Sequence, residues 1–229
     1  MKKSSIIISF LICFSMIFIQ NKSNSQGSSS KNSGASFYYE KGKSYFKAKE
    51  YREASIAFSR AIRLDINYGP AYYGRGLAYM NTGRYELAVH DFTRFISTHP
   101  NYSLVYYSRG LCYYHLKNYN NALLDFNHVA KHNPKIINVF NIRGRTNYHL
   151  KRFHKAIEDF TYFLAHRPNY AFAYLIRGKA YEESKDINEA LKNYKMYLKY
   201  TKDNKLKDEI NNKINELSKL ENLKEKINY

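Results

Sequence analysis

Cysteine, tryptophan and acid are what this sequence has least of. Its 229 residues include two cysteines, no tryptophan, and 19 acidic residues against 37 basic ones, a formal charge of +18. One cysteine, Cys13, lies in an apolar N-terminal run. Without that run Cys112 stands alone, and no intramolecular disulfide can form. The repeat context of Cys112, described below, makes it a small buried residue rather than a reactive thiol. The shortage of acid suits a nucleic acid, an anionic membrane surface or an acidic protein as partner. A Lys-, Asn-, Ile- and Tyr-rich composition produces the same excess without any site, and the basic residues are spread along the chain rather than clustered. No glycine-rich nucleotide loop, G-x-S-x-G or H-E-x-x-H occurs. What is abundant is aromatic, with 24 tyrosines and 14 phenylalanines. With 44% apolar residues, this argues against disorder over most of the length and suffices for one or two folded domains.

The N-terminus differs from the rest. Lys2 and Lys3 precede an apolar run of 14 residues, Ile6 to Ile19. That suits the core of a secretory signal peptide and falls short of the ~20 residues a spanning helix needs. Ser23-Asn24-Ser25 offers a small-x-small cleavage site. The expectation is a signal peptide over 1–25, cleaved near Ser25, and an exported protein: periplasmic, secreted or surface-associated. The alternative is an uncleaved membrane anchor. A lipoprotein signal fits less well, because bulky Ile12 precedes Cys13. Removal of 1–25 leaves 34 basic and 19 acidic residues, +15. The polar stretch Q-G-S-S-S-K-N-S-G-A-S that follows reads as a flexible linker, assigned to 26–34.

Beyond it the chain repeats. Gly42, Gly76, Gly110, Gly144 and Gly178 are spaced 34 residues apart. Twelve residues after each stands Ala54, Ala88, Ala122, Ala156 or Ala190. Four further on stands Phe58, Phe92, Phe126, Phe160 or Tyr194. Four before each glycine stands Tyr38, Tyr72, Tyr106, Phe140 or Tyr174. A fixed period in this range means stacked supersecondary units. Tyr72, Gly76 and Tyr79 share one face of a helix, and Tyr85, Ala88, Phe92 and Phe95 form a second stripe. Between them N-T-G-R is a turn, with Gly83 suited to a left-handed helix end. Each unit is therefore a helical hairpin. Gly76 and Ala88 let its two helices approach closely. Pro100, Pro134 and Pro168 end second helices.

The order aromatic-x-x-x-Gly-x-x-Tyr, then Tyr, Ala, aromatic and Pro resembles the tetratricopeptide repeat. The resemblance covers five repeats: 35–68, 69–102, 103–136, 137–170 and 171–204. Ile66 and Lys202 replace the proline at the two ends, Asn147 replaces the tyrosine after Gly144, and Ile187 replaces an aromatic. The resemblance implies an all-α fold, an α-solenoid in which helical hairpins stack as a right-handed superhelix. From Lys205 the period stops. Leu206, Ile210, Ile214, Leu217, Leu220 and Ile227 form a helical stripe, read as a capping helix over 205–229. A partner-binding amphipathic helix is the alternative.

Two sets of residues attract a functional reading. Arg75, Arg109, Arg143 and Arg177 each precede a repeat glycine, and Asp91, Asp125 and Asp159 each precede a repeat aromatic. An enzyme places a catalytic pair once. A pair that follows the repeat is architectural, and structural ion pairs are expected. Helical angles favour Asp91–Arg109, Asp125–Arg143 and Asp159–Arg177 between repeats over Arg75–Asp91 within one. His128 and His132 have zinc-compatible spacing, but no further ligand completes a site. No catalytic residue, metal site or cofactor is expected.

The second set follows from the resemblance. In tetratricopeptide arrays the first helices line a concave groove that holds peptides. The matching positions are Tyr39, Lys43 and Phe46; Tyr73, Leu77 and Met80; Tyr107, Leu111 and Tyr114; Asn141, Arg145 and Tyr148; Leu175, Lys179 and Glu182. The middle of that stripe is aromatic and apolar, and its C-terminal half is polar and basic. Tyrosines and an arginine are what binding hot spots use. The Lys/Asn pair with which family members clamp a peptide's terminal carboxylate is not at these positions in the second and third repeats. Simple packing of one first helix on the next is the competing reading for Leu77, Leu111 and Met80.

The function expected is a non-enzymatic scaffold that binds a protein or peptide segment with an apolar or aromatic anchor and some acidic character, in envelope or secretion-associated assembly. The alternative is electrostatic binding of a polyanion: anionic lipid, an acidic cell-wall polymer or nucleic acid, the last least favoured by export. No small-molecule substrate is expected.

Overall fold

The computed structural model describes residues 31–227, with side chains described from 34 to 222. The signal-peptide reading, and the linker as far as residue 30, lie outside the described residues. Among the described residues there are eleven helices and no strand. They are α1 (Lys31–Lys47), α2 (Tyr51–Leu64), α3 (Gly69–Asn81), α4 (Tyr85–Thr98), α5 (Ser103–His115), α6 (Tyr119–His132), α7 (Asn138–His149), α8 (Phe153–His166), α9 (Ala171–Glu183), α10 (Ile187–Tyr200) and α11 (Asn204–Ile227). The fold is all-α, of the α-solenoid class. No helix among the described residues is long and apolar enough to cross a membrane. α1 starts at Lys31, four residues inside the expected linker. Gly34 lies close to Leu64, with 3.2 Å between its would-be Cβ and that side chain. Ala35 is fully buried. Packing at this point carries the helix back by a turn.

The chain forms two compact units that divide between Val105 and Tyr106, inside α5. In the first, α1 packs on α2 and α3, α2 on α3, and α3 on α4. In the second, α6 packs on α7, α7 on α8 and α9, α8 on α9, α9 on α10, and α10 on α11.

Each hairpin closes around one ring. A Cβ at Gly76 would lie 2.7 Å from the Phe92 ring, so any larger residue would displace that ring. Phe58, Phe92, Phe126 and Phe160 are fully buried, as are Ala54, Ala88, Ala122, Ala156 and Ala190. Cys112 is buried too. The turn between α3 and α4 passes through Gly83 at φ 77°, and the Arg84 N–H donates to the Tyr79 carbonyl at 2.9 Å. This is the six-to-one closure of a helix C-terminus. The other four hairpins close with lysine in the same left-handed conformation: Lys49, Lys117, Lys151 and Lys185, at φ 57° to 67°. α11 lays Ile210 and Leu217 into the core at 3% exposure each and leaves Leu220 outside at 47%.

Candidate binding surface

The arginine–aspartate ladder forms within hairpins. Arg75 donates through Nε and Nη2 to the two carboxylate oxygens of Asp91, both at 2.8 Å. Arg109 does the same to Asp125 at 2.9 and 2.8 Å, and Arg143 pairs with Asp159 through Nε and Nη2. The expected pairs between repeats, Asp91–Arg109, Asp125–Arg143 and Asp159–Arg177, are therefore corrected. The physical reason is the close approach at the neighbouring glycine. It brings the second helix within reach of the guanidinium fork, and a bidentate pair is the strongest bond available there. The third nitrogen reaches the other way. Nη1 of Arg75 donates to Ser59 Oγ on α2 at 3.0 Å, that of Arg143 to Asn127 Oδ1 on α6 at 3.2 Å, and that of Arg177 to Thr161 Oγ1 on α8 at 3.0 Å. Arg75, Arg143 and Arg177 thus each tie their own hairpin and touch the one before.

Charge follows the ladder. Burial alone would lower the pKa of Arg75 and Arg109, but the hydrogen bonds and charge of Asp91 and Asp125 leave both above the ordinary arginine value. Burial raises Asp125 and Asp159 above the usual carboxylate range, against the opposing pull of Arg109 and Arg143. Arg177 meets the neutral Asn193 instead, through Nε at 2.7 Å, and burial lowers its pKa. Every member of the ladder is held by its neighbours.

The stripe expected to line a groove divides into two kinds of residue. In the first unit it is core, except for Met80, which is half-buried. Tyr39 is 7% exposed, Tyr73 1% and Leu77 0%. Tyr73 lies 5.8 Å from Phe92, 5.3 Å from Phe95 and 5.7 Å from Tyr102. Tyr39 lies 5.7 Å from Phe58 and 5.4 Å from Tyr68. Tyr39, Tyr73 and Leu77 are therefore withdrawn as peptide contacts. The cause is a second set of rings, on the loops that follow the second helices. Tyr68 and Tyr102 close over the stripe. The same register is occupied by Ile136 and Tyr170 in later repeats, so the period was there to be read. Leu111, at 7%, is also core and is withdrawn as well, and Leu175 at 2% is buried. Lys43, at 4%, is held by Glu40 at 2.7 Å.

In the second unit the stripe stays half-buried at Tyr107, Tyr114, Asn141, Arg145, Tyr148 and Lys179. Arg145 is held between two rings, 5.1 Å from the centroid of Tyr114 and 5.3 Å from that of Phe172. Phe172 is 40% exposed and was not expected here. The Tyr114 hydroxyl lies 3.1 Å from Nε2 of His149, whose ring stacks on Tyr119 at 4.5 Å. Burial and the Arg145 charge lower the pKa of His149 and of His115, which keeps positive charge concentrated on the arginine. Asn141 Oδ1, one turn before Arg145, is buried without a hydrogen-bond partner.

Beyond Lys179 the surface is not the basic one expected. A cleft of about 430 Å³ opens there, with Glu182, Glu183, Glu209 and Glu216 against Lys179 and Lys213. Lys213 pairs with Glu182 at 2.8 Å, and the Tyr194 hydroxyl donates to Glu182 at 2.6 Å. The stripe alone could not show this, because three of these six charges belong to α11. Among the described residues no group of three or more His, Cys, Asp or Glu could hold a metal ion. His128 and His132 lie 4.5 Å apart ring to ring, and His128 stacks on Tyr106 at 3.8 Å.

The family model for the tetratricopeptide repeat matches residues 39–91 and 73–134. No curated protein matches the chain significantly in sequence. Among solved structures, MamA from MSR-1 is 28% identical, with a TM-score of 0.67 over 72% of this chain and 95% of its own. YrrB, described as a TPR protein with an unusual peptide-binding site, is 19% identical, with a TM-score of 0.71 over 76% and 90%. The pilF protein of Pseudomonas aeruginosa is 15% identical, with a TM-score of 0.65 over 82% and 86%. At the last two identities the likeness is one of fold alone.

Proposed function

From a chain built of tetratricopeptide repeats, we propose a non-enzymatic scaffold whose second unit holds a peptide segment of a partner protein. The fold supports protein–protein interaction, and proteins of this repeat type bind peptides or proteins. The peptide site proposed is the half-buried stripe of Tyr107, Tyr114, Asn141, Arg145, Tyr148 and Lys179. The observation that carries it is Arg145. It stands between Tyr114 and Phe172 with no carboxylate paired to it among the described residues. An arginine fixed by two rings loses little freedom when it meets an acidic group. Asn141 Oδ1 supplies a buried acceptor for a peptide N–H. The segment that suits these groups is apolar or aromatic, with an acidic residue beside it.

The test is selection from a displayed peptide library on immobilised protein. Selected peptides should carry an acid and should bind the Tyr114→Ala/Arg145→Ala variant at least tenfold more weakly. Equal binding to that variant would remove the stripe from the account. Export belongs to the same proposal, with the segment 1–25 as its signal and the cell envelope or secretion assembly as its setting. Sequencing the mature N-terminus should find Gln26. A chain that begins at Met1 would point to an anchor instead. The charge of +18 favours a second reading, adhesion to a polyanion, which predicts a steep loss of affinity with salt and little preference among ligands.

A further inference from the structure

The fourth hairpin lacks one ring that its neighbours have. Arg75 lies between Tyr72 and Tyr79, at 5.6 and 5.7 Å from their centroids. Arg109 lies between Tyr106 and Tyr113, at 5.5 and 5.9 Å. Arg143 has Phe140 on one side at 5.2 Å. On the other side, where the repeat has Tyr79 and Tyr113, stands Asn147. A cleft of about 220 Å³ opens beside it. A cavity of about 150 Å³ is enough to hold a benzene ring. The hairpin is also looser here. A Cβ at Gly144 would stand 3.2 Å from the Phe160 ring, against 2.7 Å for the same contact at Gly76 and Gly110.

The floor of the cleft is polar and incompletely used. Asn147 is 3% exposed. Its Nδ2 donates to Asp159 Oδ2 at 2.9 Å, which fixes the amide orientation, because the carboxylate is needed as acceptor by Arg143 as well. Its Oδ1 is then the buried atom without a partner. A buried carbonyl left unpaired is destabilising, so a donor that reaches it is favoured. At the rim stand Arg152, Lys155 and Glu158, all exposed. Neither Arg152 nor Lys155 is in an ion pair among the described residues, so the rim carries a net positive charge.

We propose that this cleft receives a tyrosine side chain from a partner protein, presented on a segment with acidic residues next to the tyrosine. The ring enters tip first and restores the second face of the Arg143 sandwich. Its hydroxyl donates to Asn147 Oδ1 at the floor. The flanking acids meet Arg152 and Lys155. A phenylalanine fills the space but leaves the amide oxygen unpaired. An acidic segment without a ring meets the rim alone. The proposal rests on the reading of this chain as a protein-interaction module, but not on the Arg145 stripe, which uses other residues.

Three acetylated, amidated peptides test it: Glu-Glu-Tyr-Glu-Glu, the same with phenylalanine, and the same with alanine. Each is titrated into isotope-labelled full-length protein while amide and side-chain NMR shifts are followed. The tyrosine peptide should move the Asn147 side-chain amide and the backbone of Asn127 and Lys155. It should bind about three- to tenfold more tightly than the phenylalanine peptide, the worth of one hydrogen bond. The alanine peptide should not move Asn147. Asn147→Tyr returns the repeat's own residue, so it should keep or raise the thermal midpoint while the shifts at Asn127 and Lys155 disappear. Asn147→Ala, which opens the cleft further, should erase the preference for tyrosine over phenylalanine even if Asn147→Tyr folds poorly. In Tyr114→Ala/Arg145→Ala the tyrosine peptide should still move the Asn147 side-chain amide at the concentrations that move it in the wild type. Failure there alone would relocate the site to the stripe and overturn this proposal while leaving the scaffold reading intact. No shift at Asn147 at millimolar peptide, an equal shift there from the alanine peptide, or retained shifts at Asn127 and Lys155 in Asn147→Tyr would each overturn it too.

Discussion

Tyr73 and Tyr107 occupy the same place in successive repeats, yet one is 1% exposed and the other half-buried. The difference lies in the loops. Tyr102 packs its ring on Tyr73, whereas the corresponding loop after α6 carries Ile136. In the first unit the stripe is thereby turned into core. In the second it keeps tyrosines, an arginine and an asparagine at the surface. A register position in a repeat has no fixed role. What covers it decides whether it stabilises or binds.

The largest effect expected is on that contrast. Tyr73→Ala should lose about 3–4 kcal/mol, as a fully buried ring does, while Tyr107→Ala should lose less than half as much. Urea denaturation measures both, and equal losses would dissolve the distinction between the units. The arginine–aspartate ladder, by contrast, should ignore it. Asp91→Asn and Asp125→Asn should each cost about 2–3 kcal/mol, because each leaves a part-buried guanidinium without its carboxylate. A double-mutant cycle should couple Asp125 to Arg109 and leave Asp125 and Arg143 additive within about 0.5 kcal/mol. Coupling to Arg143 alone would restore the pairing between repeats.

Acid should act on the second unit through His115, His128 and His149. Burial, as the first cause, lowers the pKa of all three from the ordinary 6.5. The unfolded chain therefore takes up these protons more readily than the folded one. Their contribution is fully present above pH 6.5 and is lost as pH falls through the lowered folded values. The urea midpoint should drop between pH 7.5 and 5.5, and a His115→Asn/His149→Asn variant should drop less. The smallest effect concerns the turns. Gly83 closes the second hairpin at φ 77°, while Lys117 closes the third at φ 58°. Lys117→Gly removes the cost of a left-handed side chain and should raise stability by about 0.5–1 kcal/mol. A loss there would mean that the lysine side chain holds the turn.

The glycines, alanines and rings spaced 34 apart were enough to read five hairpins, because each pairs a small residue with a large one across a helix contact. The members of the Arg/Asp ladder were legible for the same reason. Their partners were not. For Arg109, helical angles alone could not rank Asp125 in its own hairpin above Asp91 in the preceding one. Burial of Tyr39 and Tyr73 is not legible in the helical pattern, because the rings that cover them, Tyr68 and Tyr102, lie between helices. Asn147 was visible as a departure from the repeat. That it opens a cleft depends on how Phe160, Asp159 and Arg143 settle around it, which one substitution in a pattern does not reveal.

The central claim is that binding belongs to the second unit's half-buried stripe and packing to the first unit's buried one. Its most direct test is one peptide, selected on the wild-type protein, measured by calorimetry against Arg145→Ala and Leu77→Ala, with the thermal midpoint of each variant beside it. The account predicts that Arg145→Ala weakens binding at least tenfold with little change in midpoint. Leu77→Ala, measured below its midpoint, should lower stability by about 2–5 kcal/mol and leave the affinity unchanged. Affinity lost in Leu77→Ala while folded, and kept in Arg145→Ala, would contradict it.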